Sequence, residues 1–287
     1  MKFFLTLELL HSSMRDYTNY LLVFILAVSC SLYHCTPNPF AKTNRQYRKQ
    51  AKMIVKSIRA VPQIIVTDSM PKASWQVGTT NFNLRKPNFV IIHHTAQNSC
   101  LQTLQTFTLP RTQVSAHYVI CKDGSIYHML NDYLRAWHGG IGKWGSLTDI
   151  NSSSLGIELD NNGFEPFPSP QLSSLLVLLD TLKSRYSIPA ANFVGHADIA
   201  PTRKNDPNIY FPWKLLSDKG FGTWYTDTTG ILVPENFNNI QALRIIGYDV
   251  TDSIAAILAF KRHFVQDTTP VINERDVKIL YNLSKSF

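Results

Sequence analysis

The chain has 287 residues, 44% of them hydrophobic and 17% charged, which excludes a disordered protein and leaves room for one ordinary domain plus a smaller one. Fifteen prolines and thirteen glycines argue against a helical repeat array. The net charge of +8 is local: Lys42, Arg45, Arg48, Lys49, Lys52, Lys56 and Arg59 supply seven positives with no acid among them, so the remainder is nearly neutral and nucleic acid is not the expected partner.

In chain order, residues 21–28 form an unbroken apolar run behind Lys2 and Arg15. The run is shorter than the roughly 20 residues a spanning helix needs, and it fits the core of a secretory signal. Ser29-Cys30 follows, with Ala27-Val28 ahead of it, resembling a bacterial lipoprotein cleavage site; Cys35 is the poorer alternative. Residues 1–35 are therefore expected to be a signal peptide or lipoprotein signal. The protein is expected to be exported to the cell envelope and held at the periplasmic face of a membrane. Residues 36–70 read as a basic linker, either a tether over an anionic membrane surface or a solvated spacer, with some helical periodicity over 51–66. Cys100 and Cys121 are expected as buried free thiols, although export permits a disulfide.

From about Asn81 the pattern is α/β: a central mixed β-sheet flanked by helices, followed by a small C-terminal helical bundle. Phe89-Val90-Ile91-Ile92 is a short buried-strand run ending in His93-His94-Thr95. His117-Tyr118-Val119-Ile120 and Ile126-Tyr127 flank Lys122-Asp123-Gly124 and predict a hairpin. Leu155 to Leu159 reads as a further strand. Ser169 is the expected N-cap of a helix with Pro170 at its first position, and Leu172, Leu175, Leu176, Leu179 and Leu182 as its sheet-facing side. Phe193-Val194-Gly195 is a short strand delivering His196. Helices are expected over 237–246, 253–264 and 274–283, with Ile254, Ile257 and Leu258 as the apolar stripe of the second and Val277, Leu280 and Tyr281 as that of the third. The domain boundaries follow: 71–228 for the α/β domain and 229–287 for the helical one.

Six of the nine histidines lie between His93 and His196. A catalytic zinc takes three ligands from His, Asp or Glu and keeps one position for water. His93 and His196 each end a predicted strand, so neighbouring strands would aim both imidazoles into one cleft. Asp206 lies in a Pro- and Arg-containing loop that can curl back toward them.

Four motifs then occur in order: His93-His94-Thr95-Ala96, Ala136-Trp137-His138-Gly139, Leu155-Gly156-Ile157-Glu158, and the long run from Gly195-His196-Ala197-Asp198 through Arg203-Lys204-Asn205-Asp206-Pro207. Together they resemble the type 2 N-acetylmuramoyl-L-alanine amidases, over about residues 75–225. The same fold occurs in peptidoglycan recognition proteins. The resemblance implies one Zn²⁺ per catalytic domain on His93, His196 and Asp206, with His94 and Asp198 as the competing ligands. It implies Glu158 as the group that deprotonates the attacking water and Lys204 as a partner of the oxyanion. His117, Trp137 and His138 match further positions, implying substrate contacts or support of the ligands. Leu243, Gly247-Tyr248 and residues 259–264 resemble a peptidoglycan-binding helical domain. The implied substrate is peptidoglycan or muropeptides, cut between N-acetylmuramic acid and L-alanine in cell-wall turnover. The rival readings are a non-catalytic peptidoglycan-recognition protein and a general zinc peptidase; the second is weakened by the lack of His-Glu-x-x-His.

Overall fold

The computed structural model describes residues 38–59, 81, 84 and 86–287, which belong to two compact units, Met1–Gln76 and Val77–Phe287. The expected signal at 1–35, with Cys30 and Cys35, lies outside the described residues. In the first unit the described element is α1 (Ala41–Arg59). The helix starts ten residues ahead of the periodic stretch expected at 51–66. No residue of it is buried. At about 100° per residue, all seven cations fall within roughly 120° of arc, and Tyr47, Ala51, Ile54, Val55 and Ile58 fall within roughly 100° beside them. Among the described residues, no helix is long and apolar enough to cross a membrane.

The second unit runs β1 (Phe89–His94), α2 (Cys100–Thr108), β2 (Tyr118–Ile120), β3 (Ile126–His128), α3 (Ile150–Ser153), β4 (Ser154–Leu159), α4 (Ser169–Tyr186), β5 (Phe193–Gly195), α5 (His196–Ile199), α6 (Trp213–Asp218), α7 (Asn239–Ile246), α8 (Ser253–Phe264) and α9 (Glu274–Ser284). The sheet order is β3-β2-β4-β1-β5. The strands β2, β4, β1 and β5 are parallel and β3 returns antiparallel, giving the mixed sheet expected. The hairpin turns at Gly124, whose φ of 89° suits a residue without Cβ.

Both faces of β1 and β4 are covered, which is why they read as continuous apolar runs. Val90, Ile92, Leu155, Ile157 and Leu159 face Leu175, Leu178, Leu179 and Leu182 of α4. Each buried Leu side chain contributes about 1.5–3 kcal/mol of transfer free energy. Ile91 and Val194 face the other way, onto Ile150 and Ile199. The side chain of Gln171 locks α4 to the sheet by donating to the Ile120 and Asp160 carbonyls at 2.9 and 3.1 Å. The cap differs from expectation by one position: Pro168 is the N-cap and Ser169 the first helical residue. The helix ends at Tyr186 with Ser187 left-handed, just before Ile188-Pro189.

The C-terminal helices close over Leu243, Ile246, Phe260, Phe264, Ile279, Leu280 and Leu283. Trp224 packs against both this core and that of α4, and Trp144 joins it to the opposite sheet face. The expected stripe of α8 is corrected. Ile254 is 59% exposed, and the buried side is Ala255, Ala256, Ala259, Phe260, His263 and Phe264. Ala256 and Ala259 pack in the C-terminal core beside Phe260 and Phe264, small residues that a search for large aliphatics passes over. In α9 Leu280 is buried as expected, joined by Ile279 and Leu283, while Val277 and Tyr281 sit at the margin. Lys261 is buried between Asp267 and Asp276, at 2.7 and 3.2 Å, and also donates to Thr269 and the Val271 carbonyl, which fastens the α8–α9 loop.

The expectation of free thiols is overturned: Cys100 and Cys121 form a disulfide, with Cα atoms 5.4 Å apart. Cys100 opens α2, held by Ser99 as N-cap, and Cys121 follows β2, so the bond ties the helix to the sheet edge. Closing a loop of this length contributes about 3 kcal/mol in the chain-entropy model. The variant Cys100→Ser/Cys121→Ser should lose about that much stability in urea unfolding; an unchanged midpoint would refute the assignment of stability to this bond.

Candidate active site

The parallel register positions the site. His93 on β1 lies directly opposite Glu158 on β4, and Ile92 lies opposite Gly195 on β5. Side chains alternate along a strand, so His93 and Glu158 share one face at the carboxyl ends of the parallel strands. His196 follows β5 as the first residue of α5 and reaches the same end. Asp206 returns through the loop after α5, where the Ala197 N–H donates to its carbonyl at 2.7 Å.

Three side-chain atoms meet. His93 Nδ1 and His196 Nδ1 are 2.9 Å apart, and Asp206 Oδ2 lies 3.1 and 3.0 Å from them. All three residues are buried. His94 points to the opposite face and is not part of the cluster. Asp198 is not part of it either: its carboxylate accepts from the Gly195 N–H, the Tyr248 hydroxyl and His263 Nδ1 at 2.7, 3.0 and 2.8 Å.

The outward nitrogens of both imidazoles are anchored. His196 Nε2 donates to the Gly139 carbonyl at 3.1 Å. His93 Nε2 meets His138 Nδ1 at 3.1 Å, His138 Nε2 meets Ser154 Oγ at 3.3 Å, and Ser154 Oγ donates to the Ile150 carbonyl at 2.7 Å. The last donor sets the direction of the chain: His138 donates to Ser154, and His93 donates to His138. The inward atoms are then three acceptors about 3 Å apart, an arrangement satisfied by a cation. This is the donor set of a zinc centre, whose outward N–H groups are typically held by carbonyls or other acceptors.

The electrostatics agree. Burial, followed by the charge of His196, pushes His93 down to about 4, so it stays neutral at ordinary pH. Burial pushes His138 well below its ordinary value, as its acceptor role requires. Burial acts to raise Asp206, but the His196 and His93 imidazoles beside it hold its carboxyl well below the usual range. Glu158 is pushed up to about 8 by burial and then by the Asp206 charge, with Lys204 opposing. Its Oε2 is buried with no hydrogen-bond partner. Lys204, half-buried two residues before Asp206, acts on His93, His94 and Glu158 alike.

The remaining expected residues separate. Trp137 is 48% exposed and free to meet a ligand. His138 is buried behind His93. His117 is not brought to the cleft: it is fully buried, with Nε2 on the Leu134 carbonyl at 2.9 Å and Nδ1 accepting from the Gly156 N–H at 3.1 Å. Gly156 leaves space for a ring, since an added Cβ would overlap His138. Sequence reasoning passed over Ser154, the Gly139 carbonyl and Arg203, whose guanidinium binds the Gly139 and Ile141 carbonyls. Arg203 sits inside the long motif and was the one with a visible signal.

Comparison with known proteins fits this geometry. The profile of the N-acetylmuramoyl-L-alanine amidase family matches residues 83–209. The amidase AmiD of Escherichia coli K12 is 34% identical over 208 residues, covering 61% of this chain and 74% of AmiD. The 1,6-anhydro-N-acetylmuramyl-L-alanine amidase AmpD of Haemophilus influenzae is 38% identical over 103 residues, 36% of this chain and 56% of AmpD. The structure of E. coli AmiD with anhydro-N-acetylmuramic acid-L-Ala-D-γ-Glu-L-Lys superposes with a TM-score of 0.65 at 28% identity, over 76% of this chain and 97% of that one. AmpDh3 of Pseudomonas aeruginosa gives 0.65 at 27% identity, over 76% and 99%. The fold and the triad define an enzyme with a mixed α/β sheet and a candidate one-cation centre at the carboxyl ends of its parallel strands. The chain belongs to the N-acetylmuramoyl-L-alanine amidase family, enzymes that cleave the amide between N-acetylmuramic acid and L-alanine.

Glu158 makes a testable contribution to stability in the metal-free protein. Its ordinary value is 4.5 and its folded value about 8, so between these the folded state binds more protons and stability falls as pH rises. Glu158→Gln should therefore melt progressively higher than the parent as pH is raised across that window in the presence of a chelator. Parallel melting profiles for the two proteins would contradict the raised value.

Proposed function

We propose that this chain is a zinc amidase of the cell envelope, with His93, His196 and Asp206 as ligands, Glu158 as proton carrier and Lys204 as oxyanion partner. The observation that carries the reading is the meeting of His93 Nδ1, His196 Nδ1 and Asp206 Oδ2 within 3.1 Å beside a buried carboxyl. Bound at these atoms, zinc supplies a Lewis acid for the scissile carbonyl and makes water acidic enough, with a pKa of about 7, to attack at neutral pH. Glu158 takes a proton from the attacking water as its oxygen bonds to the lactyl carbonyl carbon. Lys204 faces the negative charge that develops on the carbonyl oxygen. As the C–N bond breaks, Glu158 returns the proton to the departing L-alanine nitrogen, so no covalent enzyme intermediate is required. Burial raises Glu158 in the metal-free site, and a cation at the triad would draw it back down, favouring the carboxylate that accepts the proton. His138 holds His93, and the exposed indole of Trp137 is the surface for a sugar ring. Muropeptides of the kind bound by AmiD, with an anhydro-muramic sugar, are the substrates to try first.

Glu158→Ala should keep one zinc and lose about 10²–10³ or more in turnover, the usual scale for one preorganised group. His196→Ala should lose zinc as well. Free stem peptide released by the parent from purified cell wall supports the enzyme. Tight wall binding with no release by the zinc-loaded parent would favour the recognition-protein reading, against which stands the complete set of ligands plus Glu158 and Lys204.

A role for residues 229–287 in wall binding is supported by a groove of about 650 Å³ on the C-terminal helices, lined by Phe237, Ile240, Ile257 and Ile272. The Asn239 Oδ1 at this groove is buried and without a hydrogen-bond partner. Membrane attachment has separate support. The apolar run at 21–28 with Cys30 fits a lipid anchor, and α1 has the segregated basic and apolar faces of a helix lying in an anionic interface. The full chain should bind vesicles containing phosphatidylglycerol, weakly bind phosphatidylcholine vesicles, and be released by salt. Ile54→Asp/Ile58→Asp should bind several-fold more weakly; equal binding by parent and variant would remove α1 from the interaction. Mass spectrometry of the native N-terminus reads diacylglycerol on Cys30 directly.

A further inference from the structure

Among the buried polar clusters that the mechanism leaves unused, one adjoins the site. Asp198 is 2% exposed and stands two residues after the ligand His196. Its carboxylate accepts from the Gly195 N–H at 2.7 Å, closing the first turn of α5 onto the end of β5. That turn carries one of the triad residues and is bonded to a second. His196 is its first residue, and the N–H of Ala197 binds the Asp206 carbonyl at 2.7 Å. A shift of the turn therefore moves an imidazole and a carboxylate together.

The other two donors to Asp198 come from the C-terminal helices. Tyr248, just past α7 and 2% exposed, donates its hydroxyl at 3.0 Å. Burial, with the Asp198 carboxylate alongside, pushes this phenol well above its ordinary value, so it remains a donor. His263, in α8, meets Asp198 Oδ2 through Nδ1 at 2.8 Å. Its ring is stacked on Trp213 of α6, with centroids 3.9 Å apart and planes 11° from parallel. Arg262, beside it, adds a positive charge that acts on Asp198, Tyr248 and Asp206. Gly195 lets the parts close up: a Cβ there would lie 3.1 Å from Asp198 Oδ2 and 3.0 Å from the Trp213 ring.

We infer that Tyr248 and His263 are positioning residues for the cation centre, acting through Asp198 on the turn that bears His196 and binds the Asp206 backbone. The C-terminal helices are thus part of the metal site's support, whatever they bind on their outer face. A buried carboxylate with three donors is fixed; with one donor it is left short of hydrogen bonds and turns toward other partners. The inference rests on the zinc reading of the triad.

The test uses the full chain and three variants: Tyr248→Phe, His263→Phe and the two combined. Three quantities are read: the zinc dissociation constant by chelator competition, the visible spectrum of the cobalt-substituted protein, and the melting temperature of the metal-free protein. Removing a direct partner of a metal ligand weakens binding on the order of 10–100-fold, and Tyr248 and His263 act one residue further out. The expected result is a loss of about 3-fold for Tyr248→Phe and about 10-fold for the pair, with an altered cobalt spectrum. Parent-like zinc affinity and cobalt spectrum, with only the melting temperature lowered, overturn the inference and leave Tyr248 and His263 as packing residues. Should the pair fail to fold, Tyr248→Phe decides alone, because it loses one oxygen and keeps its edge contact with Trp144. A parent that binds no zinc sinks the reading of the triad itself, a result distinct from any difference between variants.

Discussion

Three parallel strands that end together are the constraint on which the site depends. The pairing of β1 with β4 and β5 sets His93 against Glu158 and brings His196 one residue past the neighbouring strand. A slip of one residue in β1 would exchange His93 for Ile92 or His94 on the cleft face and dismantle the site. The two apolar layers, α4 on one side and Ile150 with Ile199 on the other, make such a slip costly, because it would turn buried Val and Ile side chains to the wrong face. Packing that looks purely structural is therefore what determines which residue of β1 faces the cleft.

Around that frame the polar groups are arranged in directional chains rather than as isolated pairs. One runs from His93 through His138 and Ser154 to the Ile150 carbonyl, and another from His196 to the Gly139 carbonyl, which Arg203 also binds. Each chain ends on a backbone oxygen that can only accept, so the tautomers inside are determined. The centre then presents acceptors alone, while Glu158, a strand away, is raised by burial in the metal-free site. Two carboxylates in one pocket are driven apart in behaviour by their neighbours: imidazoles keep Asp206 ionised, and an apolar strand surrounds Glu158.

Much of this was legible in the chain. Short apolar runs and turn residues marked β1, β2, β3, β4 and β5, helical spacing marked α4, and the long motif after Gly195 pointed to His196 and Asp206. What was not legible is what depends on distance through space. The pairing of Cys100 with Cys121 needed the position of α2 against β2. The buried face of α8 mixes Ala256 and Ala259 with Phe260, His263 and Phe264, a set that a search for large aliphatics passes over. His117 has the same residue type as the ligands, yet its two nitrogens are taken by main-chain groups from different segments. Gly247-Tyr248 and residues 259–264 were marked only by their resemblance to a wall-binding helical domain, and nothing local shows that Tyr248 and His263 reach Asp198 across fifty and sixty-five positions.

Gly156 has a consequence for how such a chain can change over generations. Its missing side chain is the space occupied by the His138 ring, so even a methyl group at this position collides with an imidazole that is bonded to a ligand. Positions 138 and 156, on a loop and a strand, are therefore bound to a shared evolutionary history. A bulkier residue at one is tolerated only after the other has given up its ring, and by then the partner that orients His93 has gone. The smallest side chain in the cleft narrows the paths open to drift as firmly as any residue that touches the substrate.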